Sequence, residues 1–174
     1  MKHVHWIGTG LSSIPGIRRL AQNLDNFTVW NRTLDKAIKS INHVDKNNVK
    51  AKQFEVDLLF NETNPGDIVI SQLPANKHLE IAELCLKHKC NFASTSYLNP
   101  EINMLNSDVK KENLVFINEV GLDPGIDHFF PIYLSVILKK SRLKKQKWFM
   151  NHIVGVFQQF QMISNTNLVG PQLE

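Results

Sequence analysis

The 174-residue chain contains only two cysteines, Cys85 and Cys90, five positions apart and outside any metal-binding motif. Two thiols are too few for a metal site or a disulfide framework, so both read as reduced cysteines of a cytoplasmic protein. Histidine does not fill the gap. The seven histidines are scattered, and none pairs with another at the helix-face spacing of a zinc site. Long apolar runs are missing as well. No stretch approaches the ~18 residues that a membrane-spanning helix requires. The N-terminus passes directly into a strand pattern, without the apolar core of a signal peptide, so no membrane partner is expected. A strong charge bias is also lacking: 20 Lys and Arg stand against 16 Asp and Glu. Six of the basic residues fall in Lys139–Lys147. With no recognition motif or aromatic-studded sheet beside it, that run reads as a solvated helix end, and no nucleic-acid partner is expected.

What remains is an ordinary globular composition, 43% hydrophobic and 21% charged, at a length sufficient for one domain with a real core. Its organisation is an alternation of strand and helix patterns. Strands are expected at His3–Ile7, Phe27–Trp30, Lys52–Val56, Ile68–Ile70, Cys90–Ala93 and Leu114–Ile117. Helical patterns lie between them: Ile17, Leu20, Ala21 and Leu24 on one face, then Leu34–Ile41, then about Lys77 to His88, then Glu101–Glu112 after Asn99-Pro100. A last apolar helix is expected from Asp127 to about Leu138. Asn42–Lys50 is polar and reads as a surface connection. Six strand–helix repeats predict an α/β fold, a Rossmann-like, doubly wound parallel sheet with helices on both faces.

Three stretches carry chemistry in that frame. The first is Gly8-Thr9-Gly10-Leu11-Ser12-Ser13, set between strand and helix as a dinucleotide fingerprint requires. Gly8 permits the tight turn. Gly10 lets the backbone approach a pyrophosphate, and the following helix supplies amide donors. The usual third glycine is replaced by Ser13. The second stretch is Asn31-Arg32-Thr33 at the tip of the second strand, where NAD-selective proteins place an acid. A carboxylate there would repel a 2′-phosphate, whereas Arg32 offers a charge-assisted fork and Thr33 a hydroxyl, pointing to NADP(H). The alternative is that Arg32 is a plain surface charge. The third is Asn118–His128, in which Gly121-Leu122-Asp123-Pro124-Gly125 forces a sharp turn after a strand. Open parallel sheets bind ligands at such carboxyl ends. The other reading is a structural turn with Asp127 capping the next helix. His128 reads as packed or capping.

Gly121–His128, together with Ser71–Pro74, Thr95-Ser96-Tyr97 and the glycine loop, resembles the saccharopine dehydrogenase family, specifically its glutamate-forming reductases. The resemblance runs over about residues 3–135. It implies an NADP(H)-dependent oxidoreductase in lysine metabolism. Such an enzyme reduces the imine of glutamate and aminoadipate semialdehyde to saccharopine, as a homodimer acting on a small amino-acid substrate. Carried onto this chain, the resemblance implies cofactor contacts at Gly8, Thr9, Gly10, Leu11, Ser12, Asn31, Arg32, Thr33, Asp57, Ser71, Leu73, Pro74, Ser96 and Leu122. It implies substrate contacts at Ser96, Tyr97 and Asp123, with Tyr97 and Asp123 as the catalytic candidates. For Tyr97, simple ring packing is the competing reading.

Two domains are expected: a dinucleotide-binding domain over 1–138, and a basic segment with an atypical tail over 139–174. Family members continue much further, with a substrate-binding and dimerisation domain, so a cofactor-binding module without turnover is the alternative reading. Beyond Lys147 the single charged residue is Glu174, and the break follows Lys144-Lys145-Gln146-Lys147, whose codons are adenine-rich. The tail from about Trp148 is therefore expected to be an out-of-frame reading of family sequence.

Overall fold

The computed structural model describes residues 2–121, Pro124 and Gly125. These belong to the first of two compact units, Met1–Gly125 and Ile126–Glu174. The expected helix to Leu138, the boundary at residue 138 and the tail lie outside the described residues, as do Leu122 and Asp123.

Six strands form one parallel sheet: β1 (Val4–Ile7), β2 (Phe27–Asn31), β3 (Val49–Gln53), β4 (Ile68–Ser71), β5 (Asn91–Ser94) and β6 (Phe116–Ile117). Their order is β3-β2-β1-β4-β5-β6, which is the doubly wound order expected. The helices α1 (Ile14–Asn23), α2 (Leu34–Ile41), α3 (Val56–Glu62), α4 (His78–Lys87), α5 (Pro100–Met104) and α6 (Asn106–Lys111) connect the strands. Strand β1 is buried along its whole length, because both its neighbours and both faces are covered. Alternate residues divide between two cores. Val4, Trp6, Ile17, Ala21, Phe27, Val29 and Ala37 make one. Ile7, Trp30, Leu59, Phe60, Val69, Ile81 and Phe92 anchor the other. This alternation is the pleat of a sheet sandwiched between helix layers.

Three elements differ from expectation. Strand three sits at Val49–Gln53 rather than Lys52–Val56, so part of the expected surface connection is strand. It is an edge strand, and only Val49 and Ala51 pack against the core, while lysines occupy the alternate positions. The residues expected to end it, Val56 and Asp57, instead open α3, which buries Leu59 and Phe60. The helix expected over Glu101–Glu112 is two short ones, divided at Leu105, whose amide bonds the Ile102 carbonyl three residues back in a tightened turn. Its start is as expected: the Asn99 side chain accepts from the Ile102 amide at 2.7 Å, with Pro100 in the first turn.

Candidate functional site

In the order β3-β2-β1-β4-β5-β6 the chain reverses direction across the sheet between β1 and β4. A crevice opens there at the carboxyl ends of the strands. The loop after β1 and the loop after β4 form its two lips. Gly8 has φ +101°, and a Cβ on it would meet the Gln72 carbonyl oxygen at 3.0 Å, so only glycine fits between the lips. The Gly8 amide donates to Trp30 O at 2.8 Å and the Gln72 amide to Ile7 O at 2.8 Å, which pins both loops to the strand ends. Above Gly10 the space is open: the nearest atom to a methyl group at that position would be Ser13 Oγ at 3.7 Å.

Ser13, in the place of the customary third glycine, is buried, and its hydroxyl donates to Gly10 O at 2.8 Å. It braces the loop from within. The close helix–strand contact is made one turn later. A Cβ on Gly16 would meet the Trp6 indole at 3.2 Å, so the packing glycine has moved from position 13 to position 16. The turn Leu11–Ser13 then leads into the ten residues of α1. Among the described residues the amides of Thr9, Gly10 and Leu11 donate to no carbonyl. The Thr9 hydroxyl is buried with no partner. Free amides at a helix start, a hydroxyl awaiting an acceptor and open space over Gly10 fit a pyrophosphate.

At the tip of β2, Asn31 donates through Nδ2 to Thr33 O at 3.0 Å, and Thr33 caps α2 without using its hydroxyl. Arg32 is exposed beside it. No carboxylate occupies the tip itself, although Asp35 lies in the first turn of α2. A 2′-phosphate fits this corner, with Arg32 and the Thr33 hydroxyl as its donors. Asp57, placed at the end of strand three by the sequence reading, is exposed in the first turn of α3 instead.

On the opposite lip the sequence reading missed a residue. His78, the first residue of α4, is 2% exposed and bridges two expected site residues. Its Nδ1 lies 3.0 Å from Ser71 Oγ, and its Nε2 lies 2.8 Å from Ser96 Oγ. Burial lowers its pKa from the ordinary histidine value, which favours the neutral imidazole at neutral pH. Nothing in the sequence marks it beyond a lone histidine following a strand-end loop. Leu73 is half-buried against the core below, and Pro74 is exposed at the rim. The hydroxyls of the β5 end divide. Ser94 donates to Asn118 Oδ1 at 3.0 Å and Thr95 to Gln72 Oε1 at 3.0 Å, both bracing adjacent loops. Tyr97 is 58% exposed. The Gly121 amide donates to Pro124 O at 3.1 Å, and Gly125 has φ +146°. A Cβ on Gly121 would meet Thr95 at 3.3 Å, so Gly121 lies against the β5 end.

A separate cavity of about 460 Å³ opens beside α5, α6 and β6, lined by Leu98, Ile102, Val109 and Phe116 among others. Its lining includes no residue of the glycine loop.

Residues 4–117, more than half the chain, match the family model described as the saccharopine dehydrogenase NADP binding domain. The saccharopine dehydrogenase [NADP(+), L-glutamate-forming] of Schizosaccharomyces pombe is 32% identical over 136 residues, covering 76% of this chain and 30% of that protein. Its Saccharomyces cerevisiae counterpart is 30% identical over 132 residues, 75% of this chain and 30% of that one. The apo S. cerevisiae enzyme superposes with a TM-score of 0.66 at 27% identity, over 81% of this chain and 32% of that chain. A Synechocystis biliverdin reductase solved with biliverdin and NADP+ shares the fold at a TM-score of 0.51 and 16% identity. The chain thus spans about a third of the length of the relatives it matches. The free amides of the Gly8 loop, the Arg32 corner and the doubly wound order agree with that match: the chain belongs to the saccharopine dehydrogenase family through its NADP-binding domain, and its cofactor is NADP(H).

Proposed function

We propose that the chain supplies the cofactor half of a glutamate-forming saccharopine reductase. The reaction is reduction of the imine of glutamate and aminoadipate semialdehyde to saccharopine. The observation that carries this reading is the crevice between the Gly8–Ser12 loop and Ser71–Pro74, with Arg32 at its adenosine end. The cofactor, when bound, supplies the hydride. The residues of this chain do the rest. Thr9, Gly10, Leu11 and Ser12 hold the pyrophosphate, and Arg32 and Thr33 hold the 2′-phosphate. Ser71, Leu73, Pro74 and Ser96 border the nicotinamide end, and Leu122, outside the described residues, is a further proposed cofactor contact. Ser96, Tyr97 and Asp123 bind the amino-acid substrate, Asp123 pairing with its cationic nitrogen. Tyr97 and Asp123 are the groups proposed to handle the amine proton. Asp57 borders the adenine.

The second reading is a binding module that takes up NADP(H) without turnover. It is favoured by the family match itself, which is to the NADP binding domain and covers residues 4–117. One pair of measurements separates the two: titration with NADPH, and a turnover assay with saccharopine and NADP+. Binding with turnover supports the enzyme. Binding alone supports the module, and neither would reject both.

The domain division at residue 138, the out-of-frame origin of the tail and the family's homodimer belong to this proposal. Sequencing the gene past the Lys144–Lys147 codons tests the tail, limited proteolysis the boundary, and light scattering the oligomer. Among the described residues no helix is long and apolar enough to cross a membrane. The cytoplasm is proposed as the compartment because Cys85 and Cys90 are free and buried. The bovine alpha-aminoadipic semialdehyde synthase, 40% identical over 62 residues, is mitochondrial by name, so imaging of a tagged chain decides.

A further inference from the structure

We propose that His78 is a positioning residue that presents Ser96 to the nicotinamide half of the cofactor as a hydrogen-bond donor. The inference rests on the cofactor reading of the crevice and adds to it a polarity and a residue.

A neutral imidazole has one donor nitrogen and one acceptor nitrogen. Of the two serines on His78, one must therefore give a proton and the other must receive one. Burial decides which. Ser71 is completely buried at the end of β4, and within the described residues His78 is the one side chain hydrogen-bonded to it. If Nδ1–H donated to Ser71, the serine's own hydroxyl hydrogen would face the protein interior without an acceptor, an arrangement that buried polar groups avoid. Ser71 therefore donates to Nδ1. The imidazole proton sits on Nε2 and is donated to Ser96 Oγ across 2.8 Å. Ser96 is only half-buried, and with its oxygen already accepting, its hydroxyl hydrogen is left to point into the crevice. The neighbouring hydroxyls do not compete for that task, since Ser94 and Thr95 donate to Asn118 and Gln72. In the sheet order, β5 lies on the side of the crevice opposite Arg32. With the 2′-phosphate at Arg32, the nicotinamide end falls near Ser96, and its carboxamide and ribose oxygens are the acceptors in reach.

The arrangement also joins three parts of the fold. His78 belongs to α4, Ser71 to β4 and Ser96 to the loop after β5. One ring thus holds the strand end, the helix start and the next loop in register, so Ser96 is placed with little freedom left to lose on binding.

Two measurements test this on the full chain. In long-range proton–nitrogen spectra, His78, assigned by its loss in His78→Gln, is expected as the Nε2–H tautomer, with a pyridine-like Nδ1. The opposite tautomer or an imidazolium at neutral pH overturns the donor polarity, whether or not cofactor binds. The second measurement compares NADPH with 2′,5′-ADP, which carries the phosphate end but no nicotinamide. His78→Leu and Ser96→Ala are each expected to weaken NADPH about tenfold, the scale of one hydrogen bond, and to leave 2′,5′-ADP within about twofold. The double variant is expected to be no weaker than either single one, because His78 acts through Ser96. His78→Gln, which keeps a donor toward Ser96, is expected to retain near-parental NADPH affinity. This also covers the case in which the leucine variant fails to fold. Equal losses for both ligands, additive losses in the double variant, or a glutamine variant as weak as Ser96→Ala would reduce His78 to packing. A parental chain that binds neither ligand would instead reject the cofactor reading, with the tautomer still deciding the polarity.

Discussion

At the scale of single residues, the two ends of the crevice make separable demands. Arg32 is exposed and among the described residues forms no ion pair, so its charge is available to a phosphate. Arg32→Ala is expected to weaken NADP(H) by ~1.5–3 kcal/mol, the worth of a hydrogen bond to a charged group, and to leave NAD(H) nearly unchanged. Parallel titrations check it, and equal losses would return Arg32 to the plain surface. Thr9 makes the opposite kind of prediction. Its hydroxyl is buried without a partner. Thr9→Val removes an unmet polar group at nearly constant volume, so the free protein should be as stable as before or slightly more so, while NADPH binds several-fold more weakly. A thermal melt and a titration on the same sample decide, and a loss of stability with unchanged affinity would make the hydroxyl structural. Asp123, outside the described residues, is best tested in a full-length relative. There the corresponding Asp→Asn change should abolish turnover with cofactor affinity within a few-fold.

At the scale of elements, helix α5 offers a control on the site. It is capped by Asn99 and contributes buried Ile102 beside α4, but no residue to the crevice. Asn99→Ala should cost ~0.5–2 kcal/mol of stability, the range for losing an N-cap, without changing NADPH affinity. Urea denaturation reads the first and titration the second. That cap was legible from Asn99-Pro100 because capping chemistry is local. Strands β1, β2 and β4 were legible for a different reason. They are covered on both faces, so their sequences are nearly continuous apolar runs. Strand β3 lies at the sheet edge, where Lys50 and Lys52 suit the solvent side as well as any loop would, and so its register was misjudged by three residues. The short helix α3 was hidden because Leu58-Leu59-Phe60 reads equally as strand or helix over so few residues. Within the site, Gly8, Gly10 and Arg32 follow from spacing relative to the strands. His78 does not, since its two serine partners are 7 and 18 residues away and meet it only through the fold.

At the scale of the whole molecule, the sheet carries an acid-labile centre. His5, on β1, is 2% exposed, and burial, reinforced by the neighbouring His3, pushes its pKa down to about 4 against the opposing pull of Asp67. Its Nε2 is 3.6 Å from Asp67 Oδ2, a contact too long for a hydrogen bond and no substitute for water. Below pH ~6.5 the unfolded chain binds a proton that the folded chain refuses. Stability is therefore full above that value and falls as pH drops toward about 4, by roughly 3 kcal/mol at most for this one group. His3, also lowered mainly by burial, acts in the same direction. Urea midpoints at pH 7.5 and pH 5 measure the loss, and His5→Gln should flatten it. The same strand sets the order of assembly. Of the six strands β1 is made before the others, and β2 can pair with it after about twenty residues. Its other edge stays open until β4, more than sixty positions later, arrives to bond Ile68 to His3 and Gln72 to Ile7. Closing so long a loop is slow compared with the shorter β1-α1-β2 crossover before it. The lips of the cofactor crevice belong to these two strands. A nascent chain ending before Ile68 has the glycine loop and Arg32 but no second lip, and it should not retain NADPH. Cofactor capture on ribosome-bound chains of increasing length would therefore switch on as β4 emerges, timing the completion of the sheet.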